Sequence, residues 1–258
     1  MEAGQEATPE GRRRRGPLRA PLLLAAAALV VAGVAVAVLA LTGGSRGQAS
    51  PAQPTVMSAA DRHAPAALVQ AADAIGFKPS TEPGVGSIES RPVSAVHPDV
   101  IEGMLPVGAS APAFTLATPT GRSVSLRAMR GKAVLLEFFA TWCPHCAAEA
   151  PHMAQVSRAL SPARYAVVAV NGDSEDAASV FAFHRYFGLA FPALLDPGGD
   201  AGSFHRSGTP GRVSKAYGVR AFPTFYVVDA RGRIAWRSVG EHPDAFFVQR
   251  LRLTGRHG

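Results

Sequence analysis

Residues 132–151 read KAVLLEFFATWCPHCAAEAP, and the cysteines in this stretch, Cys143 and Cys146, are the only two in a chain of 258 residues. Lys132 to Ala140 is a near-continuous apolar run of strand length, as expected for a strand covered on both faces. From Cys146 the sequence CAAEAPHMAQVSRAL runs at helical period. The cysteines thus stand where a central strand hands over to a helix N-terminus, where unpaired N–H groups and the helix dipole stabilise a thiolate. Both sulfurs are within disulfide reach and the first is expected to face solvent. Cys143 is the expected nucleophile, with a pKa below the free value of about 8.5. Cys146, one helical turn on, is the expected resolving thiol. Pro144 lacks an N–H and fits the first helical turn. His145, protonated or donating a hydrogen bond, favours the thiolate, stabilises the dithiol and makes the disulfide more oxidising. A purely structural disulfide is the weaker reading, because closing so small a ring stabilises little.

Outward from this stretch the pattern alternates. AFTLATPTGRSVSL carries two short alternating runs around Pro119 to Gly121, a hairpin signal. RYAVVAVNG (164–172) is a second buried strand, and SEDAASVFAFHRYFG is a helix with Ser174 as N-cap and Gly188 as stop. FPALLD is a short strand, a Gly-rich loop follows at 197–212, and VSKAYGV is a short helix. TFYVVDA and RIAWRSVG are two strands joined by a tight turn at Ala230 to Arg233, and HPDAFFVQRLRL closes as a helix. The expected fold is a three-layer mixed α/β domain.

At the other end of the chain, Leu22 to Leu41 is twenty residues without a charge, the length needed to cross a bilayer. The preceding GRRRRGPLR places the N-terminus in the cytoplasm by the positive-inside rule. The expected organisation is a basic cytoplasmic segment (1–20), a transmembrane signal anchor (21–42), a partly ordered extracytoplasmic linker (43–107) and a redox domain (108–258). A cleaved signal peptide is the alternative. Within the linker, Ala64 to Phe77 has helical spacing. Outside the cytoplasm two lone cysteines are more plausibly chemical than structural, since exported folds held by disulfides usually carry more of them.

The net charge is +7, but residues 1–20 hold five Arg and three Glu, leaving 21 basic and 16 acidic residues over the rest. No basic cluster interleaved with aromatics occurs there, which argues against a nucleic-acid partner.

The stretch PAFTLATPTGRSVSLRAMRGKAVLLEFFATWCPHCAAEAP, continued by RAFPTFYVVDARGRIAWRSVG, resembles the membrane-anchored TlpA/ResA-like thiol-disulfide oxidoreductases of the thioredoxin superfamily, with an AhpC/TSA-redoxin type of domain. The resemblance covers about Gly108 to Leu253. It implies a thioredoxin fold with an N-terminal β-hairpin, disulfide exchange with exported proteins, a possible membrane electron-transfer partner, and no cofactor beyond the Cys143–Cys146 couple. It implies that Pro223 is the cis-proline facing the active site, and that Phe222, Pro223 and Thr224 bind an extended substrate segment; the residues alone predict only a turn there. Trp142 matches the tryptophan beside the nucleophile, and Pro151 the proline that kinks the first helix. Glu137 stands where thioredoxins carry a buried acid, and its interruption of an apolar strand suits a raised pKa and a proton-accepting role toward Cys146. Glu149 is expected on the helix surface.

Pro-His between the cysteines is the dipeptide of DsbA-type oxidases, whereas the flanking sequence is TlpA-like, so oxidase and reductase remain the two directions. A peroxidase is weaker, with Thr141 only two residues before Cys143. A copper-binding surface protein would need His152 or Met153 as a third ligand, and the remaining histidines, His242 among them, lack ligand spacing. A tethered monomer is the simplest assembly.

Overall fold

The computed structural model describes residues 63–79, 101–199 and 210–256. The expected membrane segment (21–42), most of the linker and the middle of the 197–212 loop lie outside the described residues.

In chain order the elements are α1 (Ala66–Ile75), β1 (Thr115–Ala117), β2 (Ser123–Ser125), a 3-10 turn (Leu126–Met129), β3 (Ala133–Phe139), α2 (Pro144–Ala159), β4 (Tyr165–Asn171), α3 (Ala177–Tyr186), β5 (Ala193–Leu195), α4 (Arg212–Ala216), β6 (Thr224–Val228), β7 (Ile234–Val239) and α5 (Asp244–Thr254). The strands form one sheet in the order β2-β1-β5-β4-β3-β6-β7. β3 pairs parallel with β4 and antiparallel with β6, and β4 pairs parallel with β5. This is the mixed α/β architecture with an N-terminal hairpin that the pattern predicts.

Every residue of β3 is buried. Its position explains why: as an inner strand it has a hydrogen-bonded neighbour on each edge and packed side chains on each face. Phe138 packs against Tyr217 and Tyr226, and Phe139 against Phe183. The hairpin closes through Thr118, whose N–H donates to the Arg122 carbonyl, with Gly121 at φ 83 supplying the left-handed turn residue. α1 forms where the helical spacing places it, and Ala72 packs against Phe181 and Ala182 of α3.

One cap differs from expectation. The N-cap of α3 is Asp176, whose Oδ1 accepts from the N–H groups of Ala178 and Ser179. Ser174 instead sits at φ 54 in the preceding turn, donating to the Asp196 carbonyl and accepting from Gly199 N. Asp176 lies directly before the first apolar residues of the helix, so its carboxylate reaches the orphan donors that Ser174 is too far away to satisfy.

Candidate active site

The end of β3 and the start of α2 deliver the dithiol. Cys143 is the N-cap of α2, and its Sγ accepts from Cys146 N at 3.3 Å; Pro144 takes the first helical position. Both cysteines are free thiols. Cys143 is 4% exposed and Cys146 0%, which corrects the expectation of a solvent-facing nucleophile. The cover is the Phe222–Pro223 loop: Cys143 Sγ donates to the Phe222 carbonyl at 3.6 Å.

The two thiols are driven apart in acidity. A hydrogen bond from the Cys146 thiol holds Cys143 below the ordinary thiol range against the opposing effect of burial, helped by the backbone N–H groups of Cys146 and His145. Cys146 is pushed well above that range, first by burial and then by its interactions with Cys143 and with Glu137. One thiol is therefore prepared to attack and the other to hold its proton until called upon.

The Phe222–Pro223 peptide is cis. Phe222 and Pro223 are buried, and Thr224 opens β6 with its hydroxyl donating to the Ala221 carbonyl at 2.7 Å. The Phe222 ring meets Trp142 edge-on with centroids 6.3 Å apart, and Trp142 Nε1 donates to Asp173 Oδ2 at 2.6 Å. Beside it, Thr141 donates its N–H to Glu175 at 2.7 Å and its hydroxyl to the same carboxyl, which also accepts from Asn171. The strand ends and the CPHC turn are thus stitched to the β4–α3 connection by two carboxyl groups.

Two further carboxyls are buried. Glu137 is 4% exposed in mid-β3, and burial, with the Cys143 charge second, raises its pKa to about 8. Glu149 is 0% exposed, not on the surface as expected. α2 is covered on the side bearing Ala147, Ala150, Met153 and Ala154, and the loop after β7 closes over Glu149, with His242 N donating to Oε2 at 2.8 Å. Burial first, then neighbouring acids including Glu137, raise its pKa to about 9. Its Oε1 has no hydrogen-bond partner among the described residues.

The loop 240–243 also contacts the CPHC turn. Gly240 N donates to the Pro223 carbonyl at 2.9 Å, and Glu241 Oε1 lies 2.7 Å from His145 Nδ1. Glu241 and His242 are the site residues that sequence reading misses, because they stand almost a hundred positions from the cysteines and carry no local motif. Glu149 stands three residues past Cys146 on the same helix, but nothing local to it marks the loop that covers it. The structure brings together Glu137, Trp142, Cys143, Pro144, His145, Cys146, Phe222, Pro223 and Thr224 around one turn. Among the described residues no group of three or more His, Cys, Asp or Glu is placed to share a metal ion. Met153 is a core residue, and His152 Nδ1 lies 3.8 Å from Asp244.

Residues 107–237 match the family model of the AhpC/TSA family. Thioredoxin-like protein YneN of Bacillus subtilis (strain 168) is 35% identical over 148 residues, 57% of this chain and 79% of that protein. Thiol-disulfide oxidoreductase ResA of Bacillus cereus (strain ATCC 10987 / NRS 248) is 29% identical over 140 residues, 54% of this chain and 73% of its own. Among solved structures, one described as a thiol:disulfide interchange protein DsbE from Chlorobium tepidum aligns with a TM-score of 0.50 at 28% identity, over 58% of this chain and 99% of that one.

Proposed function

Because the chain belongs to the AhpC/TSA family and is a thiol-disulfide oxidoreductase with a thioredoxin-like fold, we propose that it donates electrons to disulfides of exported proteins from a membrane-tethered domain. The observation that carries the direction is the burial of the dithiol beside Glu241, both of which disfavour the Cys143 thiolate. A thiolate is charged and a disulfide is not, so burial and nearby negative charge disfavour the reduced form and make it the better electron donor.

The cycle balances as follows. Cys143 thiolate attacks one sulfur of the target disulfide, and the other target sulfur leaves as a thiolate and takes a proton. Cys146 then loses its proton to Glu137 and attacks Cys143 Sγ, the second target sulfur leaves and is protonated, and the protein ends as a disulfide. Two electrons and two protons pass to the target. Mixed-disulfide formation discharges Cys143, which removes one of the causes of the raised Glu137 pKa, so the carboxyl ionises more easily at the step that needs a base. A membrane electron donor would restore the dithiol, and residues 21–42 would supply the tether for a monomer acting outside the cytoplasm. Cytochrome c apoproteins, whose cysteines must be reduced before heme attachment, fit as one class of target.

A disulfide-donating role is the second reading, favoured by the lowered pKa of Cys143. The reduction potential of the full chain separates the two: a value toward about −270 mV supports the donor of electrons, and one toward about −120 mV overturns it. On either reading Cys143→Ser abolishes exchange, whereas Cys146→Ser accumulates mixed disulfides with target proteins; the reverse pattern on non-reducing gels would exchange the two roles.

A further inference from the structure

A cation two residues after the nucleophile, between the two cysteines, should pull the dithiol–disulfide equilibrium toward the dithiol. His145 occupies that position, yet its imidazole does not stand alone. Glu241 Oε1 is 2.7 Å from Nδ1, with the two side chains 26% and 23% exposed. A pair so close acts at a distance as a dipole rather than as a charge, and partial burial leaves it less screened than a surface pair.

The carboxyl is held in place from both sides. Gly240, at φ 90, donates its N–H to the Pro223 carbonyl at 2.9 Å, and His242 donates its N–H to Glu149 at 2.8 Å. His242 is itself wedged against Phe246, with ring centroids 4.8 Å apart, and bonded to Ser238. The residues flanking Glu241 are thus tied to the cis-proline loop and to α2, the two elements that enclose Cys143. The Glu241 charge is also felt at Cys143, where it disfavours the thiolate.

We propose that Glu241 is a positioning residue that neutralises His145 and thereby keeps the Cys143-Pro144-His145-Cys146 dithiol in the reducing range. The inference rests on the electron-donor reading of the protein, and names the residue that reconciles a histidine at this position with that direction. The equilibrium concerned is dithiol plus glutathione disulfide giving protein disulfide plus two glutathione thiols, so two electrons and two protons leave the protein.

The test is that equilibrium, measured on the full chain in detergent micelles at pH 6, where an ordinary imidazole is largely protonated. Glu241→Gln is expected to shift the constant about tenfold toward the dithiol, which is about 30 mV more oxidising. Glu241→Lys shifts it further the same way, and Glu241→Asp stays near wild type. In a His145→Ala background Glu241→Gln moves the constant clearly less than it does beside His145, because only the direct effect of the carboxylate on Cys143 is left. No shift in Glu241→Gln, a shift toward the disulfide, or an equal shift with and without His145 overturns the proposal. The wild-type potential decides the electron-donor reading separately: if it lies at the oxidising end and Glu241→Gln still raises it, that reading fails and the masking stands.

Discussion

Glu149 and Glu137 place two carboxyls where charge is hard to hold, and the pH dependence of stability follows from that. Both have folded-state pKa values raised above 4.5, to about 9 and about 8. Below pH 4.5 folded and unfolded chains both keep the protons and there is no penalty. As pH rises the unfolded chain ionises while the folded one does not, so stability falls until the folded-state values are passed. Glu149→Gln should therefore stabilise the protein at pH 7 by up to about 3 kcal/mol and leave it unchanged at pH 4. Denaturant titrations at the two pH values check this, and an equal effect at both would mean that Glu149 is ionised in the fold. Glu137→Gln should slow resolution of the mixed disulfide while the domain stays folded; stopped-flow turnover unchanged from wild type would leave Glu137 a structural residue. At this scale the sequence was informative where a residue broke a pattern: a glutamate inside an unbroken apolar strand signals burial. It was uninformative for Glu149, because a glutamate among alanines on a helix has the same appearance whether a distant loop covers it or not.

The elements that make the site are two strand ends, one helix start and two loops. The strand-to-helix handover at Cys143 was legible because strand and helix periods meet there, and the alternation of elements was legible for the same reason. The 240–243 loop was not, since its contacts depend on how α5 packs rather than on any local pattern. Gly172, just after β4, shows how closely the loops are fitted: a Cβ there would lie 2.7 Å from Ser214 Oγ and 2.8 Å from the Phe222 ring. Gly172→Ala should therefore cost about 1–3 kcal/mol and displace Phe222 from its seat beside the cis-proline. The expected result is a lower midpoint in thermal unfolding together with a raised KM for a protein disulfide, and a wild-type KM would show that Phe222 yields without disturbing the site.

Across the molecule, the described residues carry one sheet with its redox turn and an added helix, α1, docked on α3 through Ala72 and the Asp73–Arg185 ion pair. The fold class was readable from the alternation of patterns, and the helix in the linker from its spacing. The proposed anchor has its own check: the full chain should sediment with membranes and resist alkaline extraction, whereas a chain starting at Gly43 should stay in the supernatant. Recovery in the supernatant of a product shortened by the apolar run would instead favour cleavage.

The hydrogen bond between Cys143 and the Phe222 carbonyl has a consequence for selectivity. A sulfur sheltered in this way is expected to react slowly with small oxidants that approach from bulk water, which the rate of its oxidation by hydrogen peroxide checks. An extended polypeptide differs because it brings its own backbone N–H, which can take over the carbonyl and release the thiol beside it. Recognition and unmasking would then be one event, whichever way the exchange runs.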